Sequence, residues 1–214
     1  MKQQERQQKS REKILSAAMK EFAERGYEEV TVDSICQKYE ISKGMLYHYY
    51  SGKDALFLLC VQHTFQQLEE YLLERMEQLE QKDPVEAMQE YFLLRESFFQ
   101  ENPQQKQIFE AALLRAPIQL TEQIEQIRQP LIRVNHEFLH RTLLRLPLQK
   151  GLEQEEVLRY FCGVETVIWK LMEAYCPQVH MGDTHLLMQT VRRVIRMILF
   201  GVVTLPEGEN RKSE

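Results

Sequence analysis

The chain has 214 residues, 43% hydrophobic and 28% charged, a globular composition that excludes low-complexity and collagen-like classes. No apolar run approaches the roughly 20 residues of a membrane span, and residues 1–13 lack the apolar core of a secretory signal. The four cysteines (Cys36, Cys60, Cys162, Cys176) form no CxxC pair, which predicts a reduced, cytoplasmic setting with no membrane partner. The formal net charge is −5, yet residues 1–53 hold 10 Lys/Arg against 8 Asp/Glu. The positive excess sits at Lys2, Arg6, Lys9, Arg11 and Lys13 against Glu5 and Glu12, so a DNA-facing end on an acidic body is allowed.

Strand signals are nearly absent and helical periodicity dominates, which predicts an all-α fold of about nine helices with no internal repeat. A first helix is expected over about 10–25, with Ile14, Ala18 and Phe22 on one face and Gly26 as its C-terminal cap. Two short helices follow, over about 31–39 and 42–49, with Thr31 and Ser42 as N-caps and Ile35, Leu46 and Tyr50 facing inward. Ser51 to Asp54 read as a turn, and a long helix runs on to about Leu79. Asp83-Pro84 and Asn102-Pro103 open two more helices, the second carrying Ile108, Phe109, Leu113 and Leu114 and broken at Ala116-Pro117. A long segment spans about 121–146, with a kink expected near Pro130. Two strongly apolar helices, about 153–175 and 183–204, precede a tail at 206–214 expected to be disordered. Cys162 and Cys176, 14 residues apart on the first of these, would lie roughly 21 Å apart and cannot bridge.

The stretch Thr31 to Lys53, TVDSICQKYEISKGMLYHYYSGK, reads as a helix-turn-helix: two short helices joined by a tight turn. In that motif the second helix enters the major groove with its N-terminal residues leading. Here it opens on Ser42, Lys43, Gly44 and Met45, where a lysine, a bare glycine and a flexible side chain can approach base edges. Tyr47, His48, Tyr49 and Lys53 suit phosphate contacts, which position rather than specify. By periodicity alone, a helical hairpin with surface tyrosines fits equally well.

The run ISKGMLYHYYSGKDALF, with ILSAAMKEFAERGYEEVTV before it, resembles the signature of the tetracycline-repressor (TetR) family over about residues 10–60. The resemblance implies an N-terminal three-helix DNA-binding domain at 1–52 and a six-helix effector-binding and dimerisation domain at 53–205. It implies a homodimer through the last two helices, operator double-stranded DNA as partner, and repression relieved by a small-molecule effector. Carried over by position, it makes Thr31, Lys43, Gly44, Met45, Tyr47, His48, Tyr49 and Lys53 the DNA contacts, with Leu46 and Tyr50 in the core. The chain departs from the pattern at Cys36 and Tyr39, where the family often has Ala, and at Glu40, where the turn usually has Gly. A left-handed backbone at Glu40 would cost about 1–2 kcal/mol.

A competing motif is His136-Glu137-Phe138-Leu139-His140, which matches HExxH on a helix. In zinc peptidases the two histidines bind the metal and the glutamate acts as base. Glu153, Glu155, Glu156 or Glu165 could complete such a site, making a zinc-dependent hydrolase one alternative. A helical interaction protein without DNA binding is another. The five-residue match arises readily by chance in a Glu-rich helical chain, and no strand or cleft supports it. The expectation is therefore no enzyme, no cofactor and no metal. The resemblance implies an effector pocket among the central helices, for which Phe92, Phe99, Phe109, Asn135, His136, Glu165 and Trp169 are candidates, with plain core as the other role for each. Asn135 and Glu165 fall on or beside apolar stripes, where a buried polar group needs a partner. Val157, Phe161, Val164, Ile168 and Leu171, with Leu187, Val191, Val194, Ile195, Ile198 and Val202, give two apolar stripes suited to a four-helix dimer interface; burial within one subunit would also account for them.

Overall fold

A computed structural model describes residues 2–161, 163–164, 193–194 and 196–198. The described residues are helical, with no strand among them. In chain order they form α1 (Lys2–Glu29), α2 (Val32–Lys38), α3 (Lys43–Tyr49), α4 (Lys53–Glu80), α5 (Pro84–Glu101), α6 (Pro103–Leu114) and α7 (Thr121–Leu143). A 3-10 turn at Ile118–Leu120 joins α6 to α7, and residues 154–161 are also helical. Most of the last two expected helices, the tail, Cys162, Cys176, Glu165 and Trp169 lie outside the described residues.

Through α7 the expected elements are present among the described residues, and the differences in their bounds have physical reasons. Helix α1 starts eight residues before the expected start at Ser10. Its first turns are built from Lys, Gln, Glu and Arg, good helix formers, and Gln8 donates to Glu12 across one turn at 2.9 Å. Gly26 does interrupt the helix, at φ 74°, ψ 170°, but a further turn carries it to Glu29. Pro130 sits inside a helix that runs continuously to Leu143, a turn short of the expected Leu146. Leu114 is half exposed at the last residue of α6, where Pro117 prevents another turn.

The chain divides into two compact units, 1–71 with 98–132 and 72–97 with 133–214. In the first, α1 packs against α6 and touches α2 and α3. Ile14, Ala18 and Phe22 of α1 are fully or almost fully buried together with Ile35, Leu46, Leu56 and Phe57. Phe22 meets Phe57 edge to face at 5.2 Å, and burying rings of this size is worth about 1.5–3 kcal/mol each. A second aromatic group in this unit brings Phe65 to 5.1 Å and Phe99 to 4.7 Å from Phe109. In the second unit Tyr91 stacks on Phe138 at 3.9 Å. There Arg141 pairs with Glu80 at 2.7 Å, and Arg145 donates to the Glu80 carbonyl at 2.7 Å.

Candidate functional site

The turn between α2 and α3 is held from both sides. Thr31 caps α2 in a full capping box: its Oγ1 accepts from the Ser34 amide at 3.0 Å, and the Ser34 hydroxyl oxygen accepts from the Thr31 amide at 3.1 Å. This satisfies two backbone donors at the helix start. Ser42 caps α3 by accepting from the Met45 amide at 3.2 Å. Between them Glu40 adopts φ 52°, the left-handed region that favours glycine. Its strain is tolerated because Lys13 of α1 donates to the Glu40 carbonyl at 3.0 Å and Ile41, the next residue, is buried.

The rear of α2 is tied to α1 by a buried carboxylate. Glu21 is fully buried; Lys38 donates to its Oε1 at 2.5 Å, and the Tyr39 hydroxyl lies 3.3 Å from the same oxygen. Burial pushes the Glu21 carboxyl up, but the hydrogen bond and charge of Lys38, with help from Tyr39 and Arg25, outweigh it and hold the group below its usual range. Hydrogen bonds to Glu21 and Glu24 raise the Lys38 ammonium in turn. Tyr39 thus has a bonding role that a small Ala could not fill. Cys36 is buried, and burial pushes its thiol up.

Leu46 is the single fully buried anchor of α3, and it leaves the opposite face of this helix outward. Thr31, Lys43, Gly44, Tyr47 and His48 are exposed, whereas Met45, Tyr49 and Lys53 are half-buried. Tyr50, expected inside, is also only half-buried. Nothing lies within 4 Å of where a Gly44 side chain would begin, so the backbone there is open to a close approach. Lys43 pairs with Asp33 of α2 at 2.8 Å, and that hydrogen bond raises its ammonium. Both partners are more than half exposed, so a stronger anion can displace Asp33 at little cost. Tyr49 lies 4.8 Å from His48, and the Arg11 guanidinium sits 5.3 Å above its ring. Lys53 is engaged at the end of α1, donating to the Glu28 carbonyl at 3.0 Å and lying 4.3 Å over the Tyr27 ring. Tyr27 donates to Asp54 at 2.5 Å and accepts from Gln119 at 3.0 Å. Burial, then the Asp54 carboxylate, pushes this phenol up to about 12.

The second unit contains an apolar cavity of about 590 Å³, a volume that includes the open solvent at its mouth. Helix α5 supplies Met88, Tyr91, Phe92 and Arg95, and α7 supplies Asn135, Phe138 and Leu139, with Phe161 beyond. The Tyr91 hydroxyl donates to Asn135 Oδ1 at 2.5 Å. Of the effector candidates, Phe92 and Asn135 line this cavity. Phe99 and Phe109 belong to the aromatic group of the first unit, and His136 is exposed. Sequence reasoning missed Tyr91 and Arg95 as lining residues. Arg95, a charged residue at 5% exposure, was the available signal, since its helix position falls one turn after Tyr91.

The His and Glu residues of HExxH lie on the surface of α7. His136, Glu137 and His140 are all exposed, and Glu137 is paired with Arg141. Among the described residues no group of three His, Cys, Asp or Glu side chains is placed to hold a metal ion, and no helix is long and apolar enough to cross a membrane.

Residues 14–60 match the family model of bacterial regulatory proteins, tetR family. The HTH-type transcriptional regulator YxaF of Bacillus subtilis is 37% identical over 81 residues, which are 37% of this chain and 41% of that one. The biofilm operon icaADBC negative regulator IcaR of Staphylococcus epidermidis is 32% identical over 63 residues, 29% of this chain and 34% of that one. The chain therefore matches well under half the length of these curated relatives. The fold extends further: the regulator FadR of Bacillus subtilis, solved with stearoyl-CoA, superposes with a TM-score of 0.66 at 17% identity over 88% of this chain and 97% of that one. The capped, outward-facing helix-turn-helix lies inside residues 14–60, the segment that matches the tetR family model.

Proposed function

We propose that the protein is a cytoplasmic, homodimeric transcription regulator that binds operator DNA through α3 and is released by a small molecule held in the cavity of its second unit. The observation that carries this reading is the exposure of Lys43, Gly44 and Tyr47 on a helix whose opposite face is anchored by Leu46. Lys43 and the open backbone at Gly44 reach base edges, and Thr31, Tyr47, His48 and Tyr49 supply polar groups to phosphates. A dimer through the last two helices would present two recognition helices to successive major grooves, roughly 34–36 Å apart. An effector that prefers a conformation with a different spacing shifts the population and frees the DNA. Repression is the favoured sign, as for the negative regulator IcaR. The apolar cavity lining suits an apolar or amphipathic effector, as the stearoyl-CoA of FadR is for that protein.

The test is selection of genomic fragments by purified protein at moderate salt, followed by sequencing. The reading predicts a recurring near-palindrome with half-sites about one helical turn apart. Retention without sequence preference would contradict it.

A further inference from the structure

We propose that the first three turns of α1 are a basic arm that grips the phosphate backbone of the duplex addressed by α3, through Arg6 and Lys9. The inference rests on the DNA-binding reading of α2 and α3 and extends the interface beyond them.

Helix α1 begins at Lys2, and residues 3–9 are exposed on every side. They bury nothing, so packing does not explain why this stretch continues outward as helix. A helix polar all round has its partner elsewhere or is sustained only by local pairs. The local bonds here are few: Gln8 to Glu12 at 2.9 Å and the Ser10 hydroxyl to the Arg6 carbonyl at 2.9 Å.

The charges are arranged. Arg6, Lys9 and Lys13, at i, i+3 and i+7, fall on one stripe about 60° wide at 100° per residue. The direction of that stripe is fixed at its base. Lys13 donates to the Glu40 carbonyl at 3.0 Å, in the turn that leads into α3. Arg11, about 160° around the helix from Lys13 at 100° per residue, lies 5.3 Å above the ring of Tyr49, the last residue of α3. The base of the arm is thus pinned to both ends of α3, and the stripe runs outward from the turn that precedes it. Lys9 and Arg6 stand roughly 6 and 10.5 Å beyond Lys13 along the axis. Lys13 and Arg11 are occupied. Among the described residues the side chains of Arg6 and Lys9 make no ion pair and no hydrogen bond. The nearby carboxylates, Glu5 and Glu12, border the stripe on one side, and Glu12 is engaged by Gln8. A guanidinium and an ammonium that continue outward from the turn leading into α3, with no partner among the described residues, complement a polyanion. Contacts to phosphate are indifferent to sequence, so the arm would add affinity and orientation and leave base discrimination to α3.

The experiment uses the full-length protein and a fragment that the wild type retains, with binding measured across a range of KCl concentrations. In Arg6→Gln/Lys9→Gln, glutamine keeps the helix propensity and removes both charges. For the dimer, which loses two phosphate contacts in each subunit, the slope of log K against log salt should fall in magnitude by about 3.6, from about 0.9 per lost contact, while the ratio of specific to scrambled-duplex affinity stays constant. Lys150→Gln/Arg159→Gln removes the same charge from exposed positions outside the arm and should leave the slope unchanged. An unchanged slope in the arm variant, or an equal fall in the control variant, would overturn the arm. A change in self-association with no change in slope would assign the stripe to a second copy and overturn it as well. Wild-type protein that retains no duplex would defeat the underlying reading, and the arm with it.

Discussion

Glu40 is the residue at which sequence and backbone disagree most sharply. The turn pattern asks for glycine, the chain has glutamate, and the backbone is left-handed all the same, at φ 52°. Glu40→Gly should therefore raise stability by about 0.5–1 kcal/mol, the relieved strain less the entropy of a freer chain, read as a higher urea midpoint with an unchanged slope. This strain was legible because the resemblance marks the position. The Glu21 cluster was not, because a buried acid one position off the Ile14, Ala18, Phe22 stripe looks like an ordinary surface residue until Lys38 is brought to it. Glu21→Gln should cost about 1 kcal/mol at neutral pH, reduced from a fully buried pair because Lys38 is half exposed. The sign in acid follows from the direction of the shift. Glu21 is held below its ordinary value, so its contribution is complete above the unfolded value of about 4.5 and is lost as pH falls through the lower folded one. Urea titrations below pH 5 should show a shallower acid loss in the glutamine variant than in the wild type.

Among the elements, α3 depends most on one side chain. It has seven residues, too few to be stable alone, and Leu46 is its only buried residue. Leu46→Ala should cost about 2–5 kcal/mol, and equilibrium unfolding should register that cost together with loss of DNA binding. The start of α3 was legible from Ser42 as a cap, and that of α2 from Thr31, because capping chemistry is local. The start of α1 was not, because a polar helix without an apolar stripe has no periodic signal. Its first turns become visible only through the bonds that Arg11 and Lys13 make to α3 and its turn.

At the scale of the molecule, the all-helical architecture follows from composition and periodicity, and it matches FadR over most of both chains. The assignment of aromatic residues to a cavity or a core did not follow. Phe92, Phe99 and Phe109 look alike on their helices, yet Phe92 lines the cavity of one unit and the other two fill the aromatic group of the other. Periodicity identifies which face of a helix is apolar, not which helix it meets. Asn135 stood out because a polar side chain on an apolar stripe needs a partner, and Tyr91 supplies one.

The account turns on α3 as the reading element, and the most direct measurement is binding of a genomically selected fragment by Lys43→Ala and Tyr47→Ala. The account predicts roughly tenfold or greater loss for each on the specific fragment. It also predicts relaxed sequence preference in the lysine variant, with unfolding midpoints close to wild type because both side chains are exposed. Two variants that hold the selected fragment as tightly and as selectively as the wild type would contradict it.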